Sequence, residues 1–411
     1  MDSLDDCSLY AELLVNIRQI SLAASLPSPS DISTQVALSA DGRTVRLSHR
    51  GQVCQLTLPA KVALGGTLLP VQDQQKGATG LSWRLPLDAS SIPSLAHQPD
   101  SPPWSAMDLR PNSEVACRQC NTVVVPGDAV KVWKDLPSEN WAEMMEFWHC
   151  HKPDHGKDSG KADEKTLSTR GYGASSAITA QKGVGFVDLT TLLFAESDCR
   201  NIMFSLSSYE HGLADRPSLA EEASMVSPPR NLNVFCSSCQ TQLGFFHFRT
   251  AAVTLLKWQI SCQSVSSAAP GIAECFAATL IATISRSGSS KSLITPMSGT
   301  AQEADDNASK QSAIHVWVLN NTIVYSSSRV PECTPAVKLL FKRIPREKAE
   351  RMLEAITCDA QEISLPADAL NEVLRHLEDS NSLLPPAERV FRGWKVGLLT
   401  RYKPDSPDLH K

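Results

Sequence analysis

No apolar run in this 411-residue sequence is long enough to cross a membrane; the nearest, residues 251–258 (AAVTLLKW), is interrupted by Lys257. Basic charge is also short. Lys and Arg total 39 against 44 Asp and Glu, giving a net charge of -5, and no basic cluster reverses that balance locally. Direct binding to nucleic acid or to an acidic membrane surface is therefore not expected, and any role in RNA metabolism should be mediated by protein partners. The first residues, MDSLDDCSLY, lack the basic and apolar segments of a secretory signal. These absences predict a cytoplasmic and nuclear protein with no membrane partner. Cysteine, by contrast, is plentiful: the chain has 12. In a reducing compartment they read as free thiols and metal ligands, not as a disulfide framework.

Hydrophobic residues make up 42% of the chain, enough for a substantial core. Residues 4–20 place Leu9, Leu13, Leu14 and Ile17 at helical spacing and predict an N-terminal helix, with a linker to residue 29. From Ile32 the apolar period becomes two. Asp41 with Gly42 and Arg50 with Gly51 are hairpin-turn pairs, and GLSWRLPL (residues 80–87) continues the strand pattern. The fold class read from this pattern is α+β, mainly antiparallel β in the N-terminal half, zinc-stapled, with a smaller α+β C-terminal region. A β-rich domain is expected over 30–250 and a C-terminal one over 251–411. Polar, small-residue composition predicts flexible segments at 155–179, 214–230 and 285–311. In the C-terminal part, AIHVWVLNNTIVYSSS reads as a hairpin turning at Asn320 and Asn321. REKAERMLEAIT and ADALNEVLRHLEDSNSLLP read as helices, and RVFRGWKVGLLTRY as a closing strand. Residues 251–284 mix helical and extended signals.

Two Cys-x-x-Cys pairs carry the clearest chemistry: Cys117 and Cys120 in VACRQCNTVVV, and Cys236 and Cys239 in NVFCSSCQTQLGFF. Each is a tight turn between extended runs. Four thiolates from two such knuckles satisfy tetrahedral zinc, with no vacant position, so the site would be structural. More than a hundred residues separate the pairs, so a shared ion would staple distant parts of the chain. The alternative is two unrelated buried pairs.

Residues 136–155 (LPSENWAEMMEFWHCHKPDH) begin as an amphipathic helix. Ser138 can cap it, and Trp141, Met144, Met145 and Trp148 share one face. That face either packs on the core or docks a partner, since Trp and Met are favoured at recognition surfaces. His149, Cys150 and His151 follow, before Pro153 ends the helix. Three roles remain open for them: a second metal site, a thiolate offered to a partner's metal, or simple packing.

These motifs together carry a resemblance. LPSENWAEMMEFWHCHK, flanked by CRQC and VFCSSCQTQLG, and the later LLPPAERVFRGWKVGLL resemble the HECT-like ubiquitin-conjugating-enzyme-binding protein family, over about residues 30–400. Membership implies binding to a ubiquitin-conjugating enzyme, handling of ubiquitin, and a proposed ubiquitin ligase activity. It also implies a link to the pre-mRNA 3′-end processing machinery, whose nuclease uses two zinc ions. On that resemblance Trp141, Met145, Trp148, His149, Cys150 and His151 form the partner-binding stretch, with Cys150 able to reach the nuclease zinc. A HECT-type ligase carries ubiquitin on a cysteine in a Thr-Cys motif shortly before Leu-Pro. Here Thr357 and Cys358 precede Leu365 and Pro366, although Asp359 and Ala360 replace the usual residues after the cysteine. Cys358 is thus the candidate acceptor, and Cys333 a weaker one. The competing reading is a non-catalytic adaptor that holds the nuclease through residues 141–151.

Overall fold

Strand alternation dominates the described chain. In the computed structural model these are residues 6–71, 75–89, 102–136, 179–205, 231–248, 250–263, 269–297, 312–355 and 357–403. The chain divides into two units. One uses described residues of Met1–Ser101, Phe276–Pro296 and Lys310–Lys403; the other uses those of Pro102–Cys275. A linear cut near residue 250, as the sequence pattern invites, does not follow these contacts, because both chain ends enter the same sheet.

That sheet has nine strands. Its order is Val390–Phe391, Trp394–Thr400, Val330–Pro345, Ser312–Ser327, Ser8–Leu14, Gln19–Ser25 and Gly80–Pro86. Ser312–Ser327 is long enough to serve two neighbours on one edge. Its first half pairs with Lys291–Pro296, which pairs in parallel with Ala360–Leu365, and its second half pairs with Ser8–Leu14. A separate four-stranded sheet holds Gln35–Leu38, Thr44–His49, Gln52–Thr57 and Leu68–Leu69. The turns at Asp41–Gly42 and Arg50–Gly51 fall where the sequence placed them: Gly42, Arg50 and Gly51 all have positive φ.

Three sequence expectations are corrected. Within the expected helix 4–20, the described residues 6–20 form no α-helix. Ser8–Leu14 and Gln19–Ser25 are antiparallel strands joined by a short 3-10 turn at Val15–Ile17. Every residue from Leu9 to Leu13 is buried, so the strand has two covered faces and loses the alternation that would reveal it. The hairpin in the C-terminal sheet does not turn at Asn320 and Asn321. The strand continues through them with irregular register and turns at Ser328 and Arg329. Within the expected flexible stretch 285–311, Lys291–Pro296 is a buried strand.

Among the described residues there are three α-helices: α1 (Ile272–Ser287), α2 (Arg346–Glu354) and α3 (Ala367–Leu383). The last two lie where helical spacing predicts them. Helix α3 buries Leu370, Val373, Leu374 and Leu377. It sits close to the sheet at Gly397, where a Cβ would come within 2.8 Å of a Leu377 methyl. No described helix is long and apolar enough to cross a membrane.

The second unit holds a seven-stranded sheet in the order Val132–Asp135, Val184–Val187, Thr191–Ala195, Ala252–Leu256, Gln242–His247, Asn231–Cys236 and Ile202–Ser205. A three-stranded sheet of Ile260–Cys262, Val115–Cys117 and Val123–Val125 belongs to the same unit. The two Cys-x-x-Cys turns are hairpin ends, one from each of these sheets.

Candidate metal centre and candidate acceptor cysteine

The two knuckles are built alike. In the first, the Cys117 N–H donates to Thr122 O at 2.9 Å and the Asn121 N–H to Cys117 O at 2.8 Å. In the second, the Cys236 N–H donates to Thr241 O and the Gln240 N–H to Cys236 O, both at 2.9 Å. Asn121 and Gln240 occupy the left-handed region, with φ of 59° and 62°. That conformation reverses the chain and aims both sulfurs of a knuckle the same way. The threonine hydroxyls of Thr122 and Thr241 each lie 3.2 Å from the second cysteine sulfur of their own knuckle. The repeat CRQCNT and CSSCQT therefore encodes the turn, the reversal and the hydroxyl contact together.

The knuckles meet. Cys117 Sγ is 3.6 Å from Cys239 Sγ, and Cys120 Sγ is 3.6 Å from Cys236 Sγ. All four sulfurs lie within 4.8 Å of one another. A disulfide needs a sulfur separation of about 2.05 Å, so these are free thiols. A tetrahedral ion with bonds of about 2.3 Å to sulfur sets its ligands about 3.8 Å apart, close to the spacing seen. The four residues can hold a metal ion. Burial raises the thiol pKa of Cys117 and Cys236, whereas the Thr122 hydroxyl and backbone lower that of Cys120. Burying such a group of sulfurs as thiolates requires a cation among them.

Two residues not singled out by spacing brace the site. Asn201, itself in the left-handed region, donates from its side-chain amide to Val123 O at 2.9 Å, and its carbonyl accepts the Ser237 N–H at 2.9 Å. One residue thus ties the first hairpin to the second knuckle. Arg118 donates to the carbonyls of Trp258 and Pro270 at 3.3 and 3.2 Å, anchoring the first knuckle to the chain leading into α1. No Cys or His spacing marks either residue in the sequence.

Cys358 lies in the turn between α2 and Ala360–Leu365. Its N–H donates to Ala355 O at 2.9 Å, and its thiol contacts Ala360 O at 3.6 Å. The side chain is half-buried against a cluster that includes Leu293, Ile344 and Ala349. Asp359 beside it pairs with Lys291 at 2.5 Å. Cys333 is also half-buried; its thiol faces Leu58 O at 3.7 Å, and burial pushes its pKa up. The four-cysteine cluster lies in the second unit and Cys358 in the first. Trp141, Met145, Trp148, His149, Cys150 and His151 lie outside the described residues.

The family model for HECT-like ubiquitin-conjugating enzyme (E2)-binding proteins matches residues 12–396. The chain belongs to this family. The family is described by binding to a ubiquitin-conjugating enzyme. An uncharacterized protein of Saccharomyces cerevisiae is 33% identical over 106 residues, covering 22% of this chain and 30% of its own length. An uncharacterized protein of Schizosaccharomyces pombe is 42% identical over 53 residues, covering 12% of this chain and 15% of its own. The chain thus spans less than a third of either relative. No solved structure matches it.

Proposed function

We propose that this member of the E2-binding family is a zinc-stapled protein that docks a ubiquitin-conjugating enzyme and takes ubiquitin from it onto Cys358. The observation that carries the first half is the family match across residues 12–396. The four-cysteine cluster supports zinc as the ion, because four thiolates at tetrahedral spacing suit zinc and leave no vacant position for catalysis. In the transfer step the Cys358 thiolate attacks the thioester carbonyl that joins ubiquitin to the conjugating enzyme. A new thioester forms on Cys358, the enzyme's own cysteine leaves as thiolate, and the Cys358 proton passes to solvent. The Thr357-Cys358 pair ahead of Leu365-Pro366 and the partial exposure of the thiol support this role.

One observation favours a second reading. Among the described contacts of Cys358, none is to a base or a cationic side chain that would activate the thiol. The chain is then a non-catalytic adaptor, using residues 141–151 to hold the zinc-dependent nuclease of the 3′-end processing machinery.

A ubiquitin-charging assay separates the two. Wild type, Cys358→Ala and Cys150→Ala are incubated with activating enzyme, a panel of conjugating enzymes and ubiquitin, with and without reductant. A reductant-sensitive adduct lost only in Cys358→Ala establishes transfer. Absence of any adduct from folded, zinc-loaded protein removes it and leaves the adaptor.

A further inference from the structure

Among the described residues, one face of the nine-stranded sheet is covered at both ends and partly exposed between them. At one end α2 lies over it, closing Leu293, Ala313 and Ile344 beneath Ala349. At the other, Leu383 and Leu384 cover Tyr10, Ile323 and Ala336. The strip between consists of partly exposed side chains set side by side by the strand register: Lys291 opposite Trp317, and His315 opposite Lys342. Trp394 joins them from the neighbouring strand. Its ring centroid lies 4.7 Å from that of His315 and 6.4 Å from that of Trp317. The Lys342 ammonium sits 4.5 Å above Trp394, and that of Lys291 sits 5.5 Å above Trp317.

The strip is cationic in a chain whose net charge is -5. The charged groups around His315 are Lys291, Lys342 and Lys348 against one carboxylate, Asp359. Burial first, and then these lysines, lower the His315 pKa, so the ring is neutral at pH 7 and the positive charge of the strip is carried by its lysines. Its Nε2 is buried without a hydrogen-bond partner, an unpaired polar atom at the centre of the strip. A lysine over an indole face keeps its donors, so a carboxylate can bind the ammonium without displacing the ring.

We propose that this strip binds an acidic, extended peptide segment of a partner protein, with a carboxylate on Lys342, the strip lysine that Asp359 does not engage, and an aromatic or aliphatic side chain on Trp394 and Trp317. Nucleic acid does not fit as well. Its affinity depends on neutralising many phosphates, and here few lysines are present, one of them already paired with Asp359. The proposal stands whether or not Cys358 accepts ubiquitin.

The test is fluorescence anisotropy of the intact, zinc-loaded chain with a labelled peptide of alternating Asp and Glu carrying two Phe residues. A matched peptide has Asn and Gln in place of the acids, and tripolyphosphate and an RNA oligonucleotide are added as competitors. Lys342→Glu should weaken acidic-peptide binding at least about tenfold and Trp394→Ala at least about fivefold, by loss of charge and of stacking area. Lys395→Gln is the control: Lys395 pairs with Glu378 and is exposed, so its change should leave binding within about twofold. Circular dichroism and zinc content check that each variant is folded. Equal binding of the neutral peptide, indifference to Trp394→Ala, or displacement by RNA or tripolyphosphate as effective as by unlabelled peptide would overturn the proposal.

Discussion

Cys117 and Cys239 stand 122 residues apart in sequence and 3.6 Å apart at their sulfurs. Their pairing, with that of Cys120 and Cys236, brings the three-stranded and seven-stranded sheets of the second unit together at two hairpin tips. The same geometry determines what the centre can do. Four thiolates fill a tetrahedron, so an ion there holds the chain and takes no substrate.

The first prediction concerns the ion itself. Purified chain should carry one zinc, measured by elemental analysis, and Cys117→Ser or Cys239→Ser should lose it. Without the cross-link the second unit should lose on the order of 5 kcal/mol, the loop-closure entropy of a bridge spanning about 100 residues. Chemical denaturation of wild type with and without a strong chelator reads this directly. An unchanged midpoint after complete zinc removal would count against a structural metal.

Asn201 should act as a positioning residue for that centre. Its amide and carbonyl reach one hairpin each, so Asn201→Ala removes the side-chain bond to Val123 O and leaves the four ligands untouched. The expected result is full zinc occupancy after purification but faster loss to a chromogenic chelator. The stability cost should be about 1 kcal/mol for the lost hydrogen bond. Asn201→Asp keeps an acceptor but no donor and should behave like the alanine variant; equal zinc-release rates in all three proteins would dismiss the role.

Lys257 shows how far a residue's role can depart from its look in sequence. It reads as a charge interrupting an apolar run, yet it is fully buried, its ammonium donating to the carbonyls of Pro103, Trp104 and Asp188. Burial lowers its pKa to about 8, below the ordinary value of 10.5. Below pH 8 both folded and unfolded chains hold the proton. Between about 8 and 10.5 the unfolded chain binds it and the folded chain does not, so this group makes stability rise with pH across that window. Relative to Lys257→Met, wild type should gain up to about 1.4 kcal/mol per pH unit there. Urea denaturation at several pH values tests the slope. A difference between the two proteins that stays constant with pH would contradict the lowered pKa.

The same contrast explains which parts of the fold were legible. The Gly80–Pro86 strand has one buried face, and its period of two is plain; helix α3 buries a stripe of Leu370, Val373, Leu374 and Leu377. Ser8–Leu14 is buried on both sides and even contains Glu12, which pairs with Lys338 at 2.5 Å. A short run of this kind has no reliable period, so the chance spacing of Leu9, Leu13 and Leu14 imitates a helix. The four cysteines that cluster were visible because metal chemistry would fix residue type and local spacing. Arg118 and Asn201 were not, since a side chain that hydrogen-bonds a distant carbonyl leaves no periodic mark. Joining of both chain ends into one sheet is a long-range pairing that no local pattern encodes.

Gly244 supplies the last test, because it connects backbone sterics to the metal centre. It lies in Gln242–His247, directly after the second knuckle, paired on one side with Val234 and on the other with Leu255. A Cβ built there would fall 1.8 Å from the Thr254 carbonyl oxygen, a backbone atom held in the adjacent strand. The strands must separate to admit even a methyl group, and overpacking of this kind costs about 3 kcal/mol. Separation also displaces Gln242, and with it Thr241, whose hydroxyl lies 3.2 Å from Cys239 Sγ. Gly244→Ala should therefore lower the melting temperature and speed zinc loss together. Gly80→Ala, where no atom lies within 4 Å of the built Cβ, should change stability by less than about 0.5 kcal/mol. If Gly244→Ala melts like wild type and retains its zinc, the close approach of these strands is not a constraint on the centre.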